Sequence, residues 1–205
     1  MRIKICGIRD ETDALAAAEA GADAIGLIFA PSRRQVDLAQ ARRIAASLPP
    51  FVARVGVFVN EAFDRLRSLV DGVRLDAVQL HGDETAEYCC AVRDLGVTTI
   101  KAIQVAGPLD VAGVRALPVS AVLLDAYRPG RRGGIGEPFD WRLAAPVAAV
   151  VPVILSGGLT AANVAAGIAA VRPYAVDASS GVETDGRKDP AKIHAFVQAA
   201  RASGC

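Results

Sequence analysis

Short β-branched runs alternating with alanine-rich helical stretches predict a single α/β domain over residues 1–205, a (β/α)8 TIM barrel with a closed parallel sheet. Three observations carry this. The 205 residues allow about 25 for each strand–helix unit, the lean end of what such a barrel needs, with nothing left for a second domain. Several strand runs are apolar at nearly every position, as parallel strands covered on both faces must be. Polar and glycine-rich residues gather after strands one, two, six, seven and eight, which closure would bring to one rim. An open doubly wound sheet shares the alternation, but its Gly-x-Gly-x-x-Gly fingerprint is missing after strand one, where Cys6-Gly7-Ile8-Arg9 stands.

Taken in order, the strand runs cover residues 3–6, 24–29, 52–59, 77–80, 98–105, 121–124, 151–155 and 174–177. Asp10 precedes the helical stretch 11–20, and its carboxylate can cap free N–H groups there; Asp37 precedes 38–47 and Asp83 precedes 84–95 in the same way. The last helix, 191–202, follows a cap residue and a first-turn proline, Asp189-Pro190. Gly21, Gly72 and Gly96 stand where helices are expected to stop. The connection 125–138 is the longest without a helical pattern, is rich in glycine, and reads as a mobile lid.

Composition excludes several classes of function. Hydrophobic residues make up 52% and aromatics 5%, so the core is expected to be aliphatic. Lys and Arg number 23 against 22 Asp and Glu, with no basic stripe, which speaks against nucleic acid as a partner. No apolar run approaches the roughly 20 residues of a membrane span. The alternating, strand-like start Met1–Cys6 is unlike a signal peptide. Cys6, Cys89, Cys90 and Cys205 fit neither a zinc site nor a disulfide framework, so a reducing cytoplasm is the expected setting. With two histidines and no cluster of ligand types, no metal is expected.

The chemistry-bearing residues fall at strand ends. Ser156-Gly157-Gly158 after strand seven and Ser179-Ser180-Gly181 after strand eight are small residues placed directly behind a strand. Such loops leave backbone N–H groups free for an anion, and loops seven and eight of a barrel often share one phosphate site. Cys6 ends strand one on the same rim, where a thiol is a usable base for carbon acids near neutrality. Asp125 ends the apolar strand six, and a buried carboxyl there suits a general acid. Arg34 in the second loop offers a fork for a planar carboxylate. Gln79 and His81 end strand four, His81 as a ligand contact or simply a satisfied polar group. By period-two alternation Lys4 shares the interior face with Cys6, and closure would bring Asp177 alongside to pair with it.

Together these motifs are recognisable. Lys4-Ile5-Cys6-Gly7-Ile8, Val78-Gln79-Leu80-His81-Gly82, Leu124-Asp125 with Gly133-Gly134-Ile135-Gly136, Phe139-Asp140-Trp141, Leu155-Ser156-Gly157-Gly158-Leu159 with Asn163-Val164, and Val176-Asp177-Ala178-Ser179-Ser180-Gly181-Val182-Glu183 resemble the phosphoribosylanthranilate isomerase family. The match runs in order from Ile3 to the last helix. The resemblance implies an Amadori-type isomerisation in tryptophan biosynthesis. N-(5-phosphoribosyl)anthranilate becomes 1-(2-carboxyphenylamino)-1-deoxyribulose 5-phosphate, with no cofactor or metal and a phosphorylated small molecule as the partner. It implies Cys6 as general base and Asp125 as general acid. Arg34 would meet the anthranilate carboxylate, with Gln79, His81, Gly134, Gly136 and Asp177 among the substrate contacts. Ser156, Gly157, Gly158, Ser179, Ser180 and Gly181 would form the phosphate cradle. The second loop is one residue shorter than the family's usual pattern and carries Gln35 where Tyr is common, which leaves Arg33 and Arg34 both open for the carboxylate, Arg34 being favoured. Ile135 stands where Thr is usual, and Ala178 where Val is.

Three rivals remain at this level. A bifunctional sugar-phosphate isomerase would need a second anion loop after strand three, where Val59-Asn60-Glu61-Ala62 has no glycine, and an Asp where Cys6 stands. A barrel that binds a phosphorylated ligand without turnover would have no use for both Cys6 and Asp125. A carbon–carbon bond-forming synthase would want an inward lysine, for which Lys101 is the candidate. Both a monomer and a homodimer fit the sequence.

Overall fold

A computed structural model describes residues 1–126 and 139–203. Its strands are β1 (Arg2–Cys6), β2 (Ala24–Ile28), β3 (Ala53–Phe58), β4 (Ala77–Leu80), β5 (Thr98–Val105), β6 (Ala121–Ala126), β7 (Val153–Leu155) and β8 (Ala175–Ala178). They pair in parallel in chain order, and β8 returns to β1, so the sheet is a closed barrel. The helices α1 (Glu11–Glu19), α2 (Leu38–Ser47), α3 (Phe63–Val73), α4 (Ala86–Arg93), α5 (Val111–Arg115), α6 (Ala145–Ala148), α7 (Val164–Val171) and α8 (Pro190–Ser203) alternate with these strands.

Two apolar layers result from the strand alternation. Inside the barrel pack Val55, Ala77, Ile100, Ala102, Leu123 and Ile154, short or branched side chains that fit a narrow interior. Between sheet and helices lies the larger cluster, where Phe29 stacks on Phe58 at 5.1 Å and Leu66 and Phe196 are fully buried. The scarcity of aromatic residues therefore matches a barrel filled by alanine, valine, isoleucine and leucine.

Helix starts follow the caps in most units. Asp10 accepts from the N–H of Asp13, and Asp37 with Gln40 makes a reciprocal capping box. Asp189 accepts from the N–H groups of Ala191 and Lys192, and α8 begins at Pro190. The fourth helix departs from expectation: it begins behind Thr85, not Asp83. Glu84 folds its carboxylate back onto the Gly82 N–H at 2.9 Å, and the Asp83 N–H donates to Asn60 Oδ1 at 2.7 Å, so residues 82–84 close the loop instead of opening a helix. Gly72 does not stop α3 either. It lies inside the helix, where an added Cβ would meet Leu38 Cδ1 at 3.1 Å, and Arg74 takes the left-handed conformation that ends the helix. Gly72 thus serves the approach of α2 to α3, whereas Gly21 and Gly96, both at positive φ, do end helices.

The seam between β1 and β8 sets Lys4 opposite Asp177. Lys4 Nζ donates to Asp177 Oδ1 at 2.7 Å, with both side chains 5% exposed, so the pairing expected from alternation is present. At the opposite end of the barrel from the strand C-termini lies a hollow of about 330 Å³ edged by the fully exposed Phe51 and by Tyr174. Lys4→Met leaves Asp177 buried without its cation and should cost about 3 kcal/mol or more in urea unfolding. Lys4→Met combined with Asp177→Asn should recover much of that loss; equal stability of Lys4→Met and the parent protein would contradict the arrangement.

Candidate active site

The C-terminal ends of the strands surround a cavity of about 400 Å³. Alternation aims Cys6 from β1, Gln79 from β4, Asp125 from β6 and Asp177 from β8 into it, with His81, Ser156 and Ser179 just beyond their strands and Arg34 from the second loop. Thiol and carboxyl, distant in the chain, share one wall-to-wall space.

Asp125 is buried; Oδ1 accepts from the N–H of Ala126 at 2.9 Å, and Oδ2 lies 3.4 Å from His81 Nε2. Gln79 Nε2 stands 2.9 Å from His81 Nδ1, a contact that favours the tautomer carrying its proton on Nε2, toward Asp125. Gln79 Oε1 is buried with no hydrogen-bond partner among the described residues, on a side chain that lines the cavity. On the other side Cys6 sits beside Lys4, Asp177 and Lys188. Burial pushes its thiol up; the Lys4 and Lys188 ammonium groups oppose that rise and Asp177 adds to it.

Beyond Asp125 and Asp177 the cavity narrows into a cradle formed by Ser156, Gly157, Gly158 and Leu159 on one side and Ser179, Ser180 and Gly181 on the other. Gly157 and Gly158 both adopt positive φ, and a Cβ on Gly181 would run into the Leu159 carbonyl, so the two loops touch because neither carries a side chain there. None of the N–H groups of Gly157, Gly158, Ser180 and Gly181 is donated to another described residue. Such unpaired N–H groups suit an anion. The adjoining Asp177 carboxylate does not oppose one strongly, since Lys4 and the Ser156 hydroxyl, at 3.3 Å, occupy its two oxygens.

Arg34 reaches the cavity wall buried, with its Nε 2.6 Å from Glu183 Oε1 and Nη2 2.8 Å from Oε2. Arg33 is 58% exposed in its side chain and touches the same carboxylate from outside. Of the two arginines left open by the sequence, Arg34 is the one lining the cavity.

A sequence model of the family described as N-(5'phosphoribosyl)anthranilate (PRA) isomerase matches residues 3–199. The N-(5'-phosphoribosyl)anthranilate isomerase of Pseudomonas fluorescens (strain Pf-5) is 54% identical over 207 residues, 99% of this chain and 97% of its own. This chain belongs to that family. It is an isomerase of tryptophan biosynthesis. The solved phosphoribosyl anthranilate isomerase of Thermotoga maritima matches with a TM-score of 0.91 and 43% identity, covering 98% of this chain and 99% of that one. Another solved member, at TM-score 0.88 and 41% identity over 98% of this chain and 99% of its own, is in complex with reduced 1-(o-carboxyphenylamino)-1-deoxyribulose 5-phosphate. A third structure describes monomers derived from the dimeric T. maritima enzyme, at TM-score 0.87 and 40% identity over the same shares.

For this isomerase the structure brings together Cys6, Arg34, Gln79, His81, Asp125, Asp177 and both cradle loops, as the sequence led one to expect. Gly134 and Gly136, with the rest of the expected lid from residue 127 to 138, lie outside the described residues. Lys101, the candidate of the synthase reading, faces away from the interior. Its strand neighbours Ile100 and Ala102 point inward, and Lys101 Nζ is held by the Gly82 carbonyl at 2.8 Å and Glu84 Oε2 at 3.0 Å. The loop after β3 has its N–H of Asn60 taken by Glu84 Oε1 at 2.9 Å, which is no place for a second anion. Among the described residues no three His, Cys, Asp or Glu side chains group as a metal site, and no helix is long and apolar enough to cross a membrane.

Sequence reading missed Lys188 and gave Glu183 no role. A two-stranded hairpin, β9 (Glu183–Thr184) and β10 (Arg187–Lys188), folds Lys188 back onto Glu183 at 3.0 Å and onto the Ser179 carbonyl at 2.9 Å. Asp185-Gly186 at its tip, both at positive φ, was the signal that could have found it, since Asp-Gly favours a two-residue hairpin turn. Burial alone would raise the Glu183 carboxyl, but hydrogen bonds from Arg34 and the charge of Lys188 outweigh it and hold the group at about 2.

Because burial raises the Cys6 thiol, its alkylation by iodoacetamide in the ligand-free protein should climb with a midpoint above the ordinary thiol value of 9.0. Peptide mass spectrometry at Cys6 separates it from the other thiols; a midpoint below that value would contradict the assignment.

Proposed function

We propose that this cavity converts N-(5-phosphoribosyl)anthranilate to 1-(2-carboxyphenylamino)-1-deoxyribulose 5-phosphate with Cys6 as general base and Asp125 as general acid. The observation that carries the reading is that these two groups face one cavity whose far end is a side-chain-free anion cradle. The phosphate tethers the substrate through the N–H groups of the two loops. The anthranilate carboxylate meets Arg34, whose Nε and Nη2 are committed to Glu183, so the remaining Nη1 edge is the one offered.

Asp125 delivers a proton to the ring oxygen as the C1–O bond opens, leaving a protonated Schiff base between C1 and the anthranilate nitrogen. That cation acidifies the C2 proton, which the Cys6 thiolate removes, and the C2–H electrons move to neutralise the nitrogen. The enolamine then takes a proton at C1 while its C2 hydroxyl becomes the ketone. A thiol raised by burial fits this order of events: the positive charge formed beside it on ring opening is what favours the thiolate. His81, set by Gln79, stands 3.4 Å from the Asp125 carboxyl, and Gln79 Oε1 keeps its accepting capacity for a substrate hydroxyl. The reaction needs no group beyond these side chains. Three free thiols at Cys6, Cys89 and Cys90 support a reducing cytoplasm as the setting.

Cys6→Ala and Asp125→Asn should each lower kcat by about 10²-fold or more while circular dichroism and melting stay near those of the parent. A variant with parental kcat on freshly made substrate would remove the assigned role.

The T. maritima relative is described as dimeric. For this chain a homodimer is supported by the exposed Phe51 and Tyr174 at the rim of the hollow opposite the active site, apolar side chains gathered on one face. Phe51→Glu should then sediment as a monomer where the parent sediments as a dimer; a monomeric parent protein would end this assignment.

A further inference from the structure

Glu183 is the most heavily engaged carboxylate of the described site. It accepts from Arg34 Nε and Nη2, from Arg33 Nη2 at 2.9 Å and from Lys188 Nζ at 3.0 Å, with its side chain 5% exposed. It follows directly on the phosphate loop and touches no part of the cavity itself. Arg34, in contrast, lies in an irregular loop between β2 and α2, with no helix or strand to fix its direction. A long side chain in such a place has many rotamers, and a ligand that needs one of them must offset the entropy of selecting it. Two opposed constraints remove that freedom here. The arginine stem passes over Gly7, where an added Cβ would come within 2.5 Å of Arg34 Cδ. At the far end the carboxylate grips the guanidinium by two parallel bonds, an arrangement that fixes the plane as well as the position.

We infer that Glu183 is a positioning residue for the isomerisation, holding the Arg34 guanidinium in the cavity wall so that its free edge is presented to the substrate's ring carboxylate. This rests on the reading of Arg34 given above. The side of the guanidinium that Glu183 covers is Nε and Nη2; the side it leaves is Nη1, and one carboxylate thereby decides which edge a second carboxylate meets. Three cations against one buried anion also leave this wall electropositive, so holding Arg34 does not neutralise it toward an anionic ligand. A merely structural salt bridge would join loop two to loop eight and would affect all ligands alike. A positioning residue acts on the carboxylate alone.

The test uses two probes on the full chain: reduced 1-(2-carboxyphenylamino)-1-deoxyribulose 5-phosphate and the same compound without its ring carboxylate. Dissociation constants from calorimetry give their ratio, the preference for the carboxylate. Glu183→Gln should reduce that preference about tenfold, the scale of a charge-assisted hydrogen bond whose donor is no longer held in place, and Arg34→Met should reduce it at least as far. In the double variant Glu183→Gln with Arg34→Met the loss should be no greater than in Arg34→Met alone, since one residue acts through the other. Where Glu183→Gln melts too low to titrate, Glu183→Gln with Lys188→Met removes the buried cation left unmatched, and the same fall in preference is expected. Equal weakening of both probes, or a loss that adds to that of Arg34→Met, overturns the inference while leaving the Arg34 assignment standing. An unchanged preference in Arg34→Met overturns that assignment, and the inference with it.

Discussion

Closure of the barrel between its first and last strands is the constraint on which everything else depends. Parallel pairing of β1 with β8 sets Lys4 against Asp177 and so places Cys6 next to the loop that follows β8. Burying two charges is costly, and their attraction offsets that cost only when the geometry is good and the remaining lone pairs are satisfied. Here both conditions hold: the contact is 2.7 Å, and the second oxygen of Asp177 accepts from Ser156. The hydrogen bond from Ser156 also ties β7 to the seam, so the two loops of the cradle are positioned by the same pair that closes the sheet.

Two of the site's buried carboxylates have cations assigned to them, Asp177 having Lys4 and Glu183 having Arg34 and Lys188. The cradle itself uses backbone N–H groups, which bring partial positive charge without a side chain that must be desolvated or ordered. Asp125 differs: its neighbours are a backbone N–H and a histidine rather than a lysine or arginine. A carboxyl expected to move a proton is thus surrounded by groups that orient it without binding it to a fixed positive charge.

Much of this was legible in the chain. Strand positions, the caps at Asp10, Asp37 and Asp189, and the rim residues Cys6, Asp125, Ser156 and Ser179 follow from alternation, local capping chemistry and the ends of apolar runs. The misreadings have local causes. Asp83 looked like a cap, but Glu84 and Asn60, the latter brought close by the pairing of β3 with β4, hold the N–H groups of Gly82 and Asp83 and keep residues 82–84 in the loop. Gly72 looked like a stop, but the space it leaves belongs to a neighbouring helix. Lys101 looked like an interior lysine until register showed its parity in β5 to be the outward one.

What the amino-acid order determined by itself is periodicity: a two-residue period fixes which side chains share a strand face, and capping and turn chemistry act within a few residues of each other. Repeating that unit along the chain was enough to specify a barrel and the rim on which its polar residues fall. Only the tertiary structure put Arg34 and not Arg33 in the cavity wall, gave Lys188 its place under Ser179, and gathered three cations on Glu183. Those contacts join loops separated by up to 150 residues, and no local pattern encodes a meeting that depends on how the sheet curves shut.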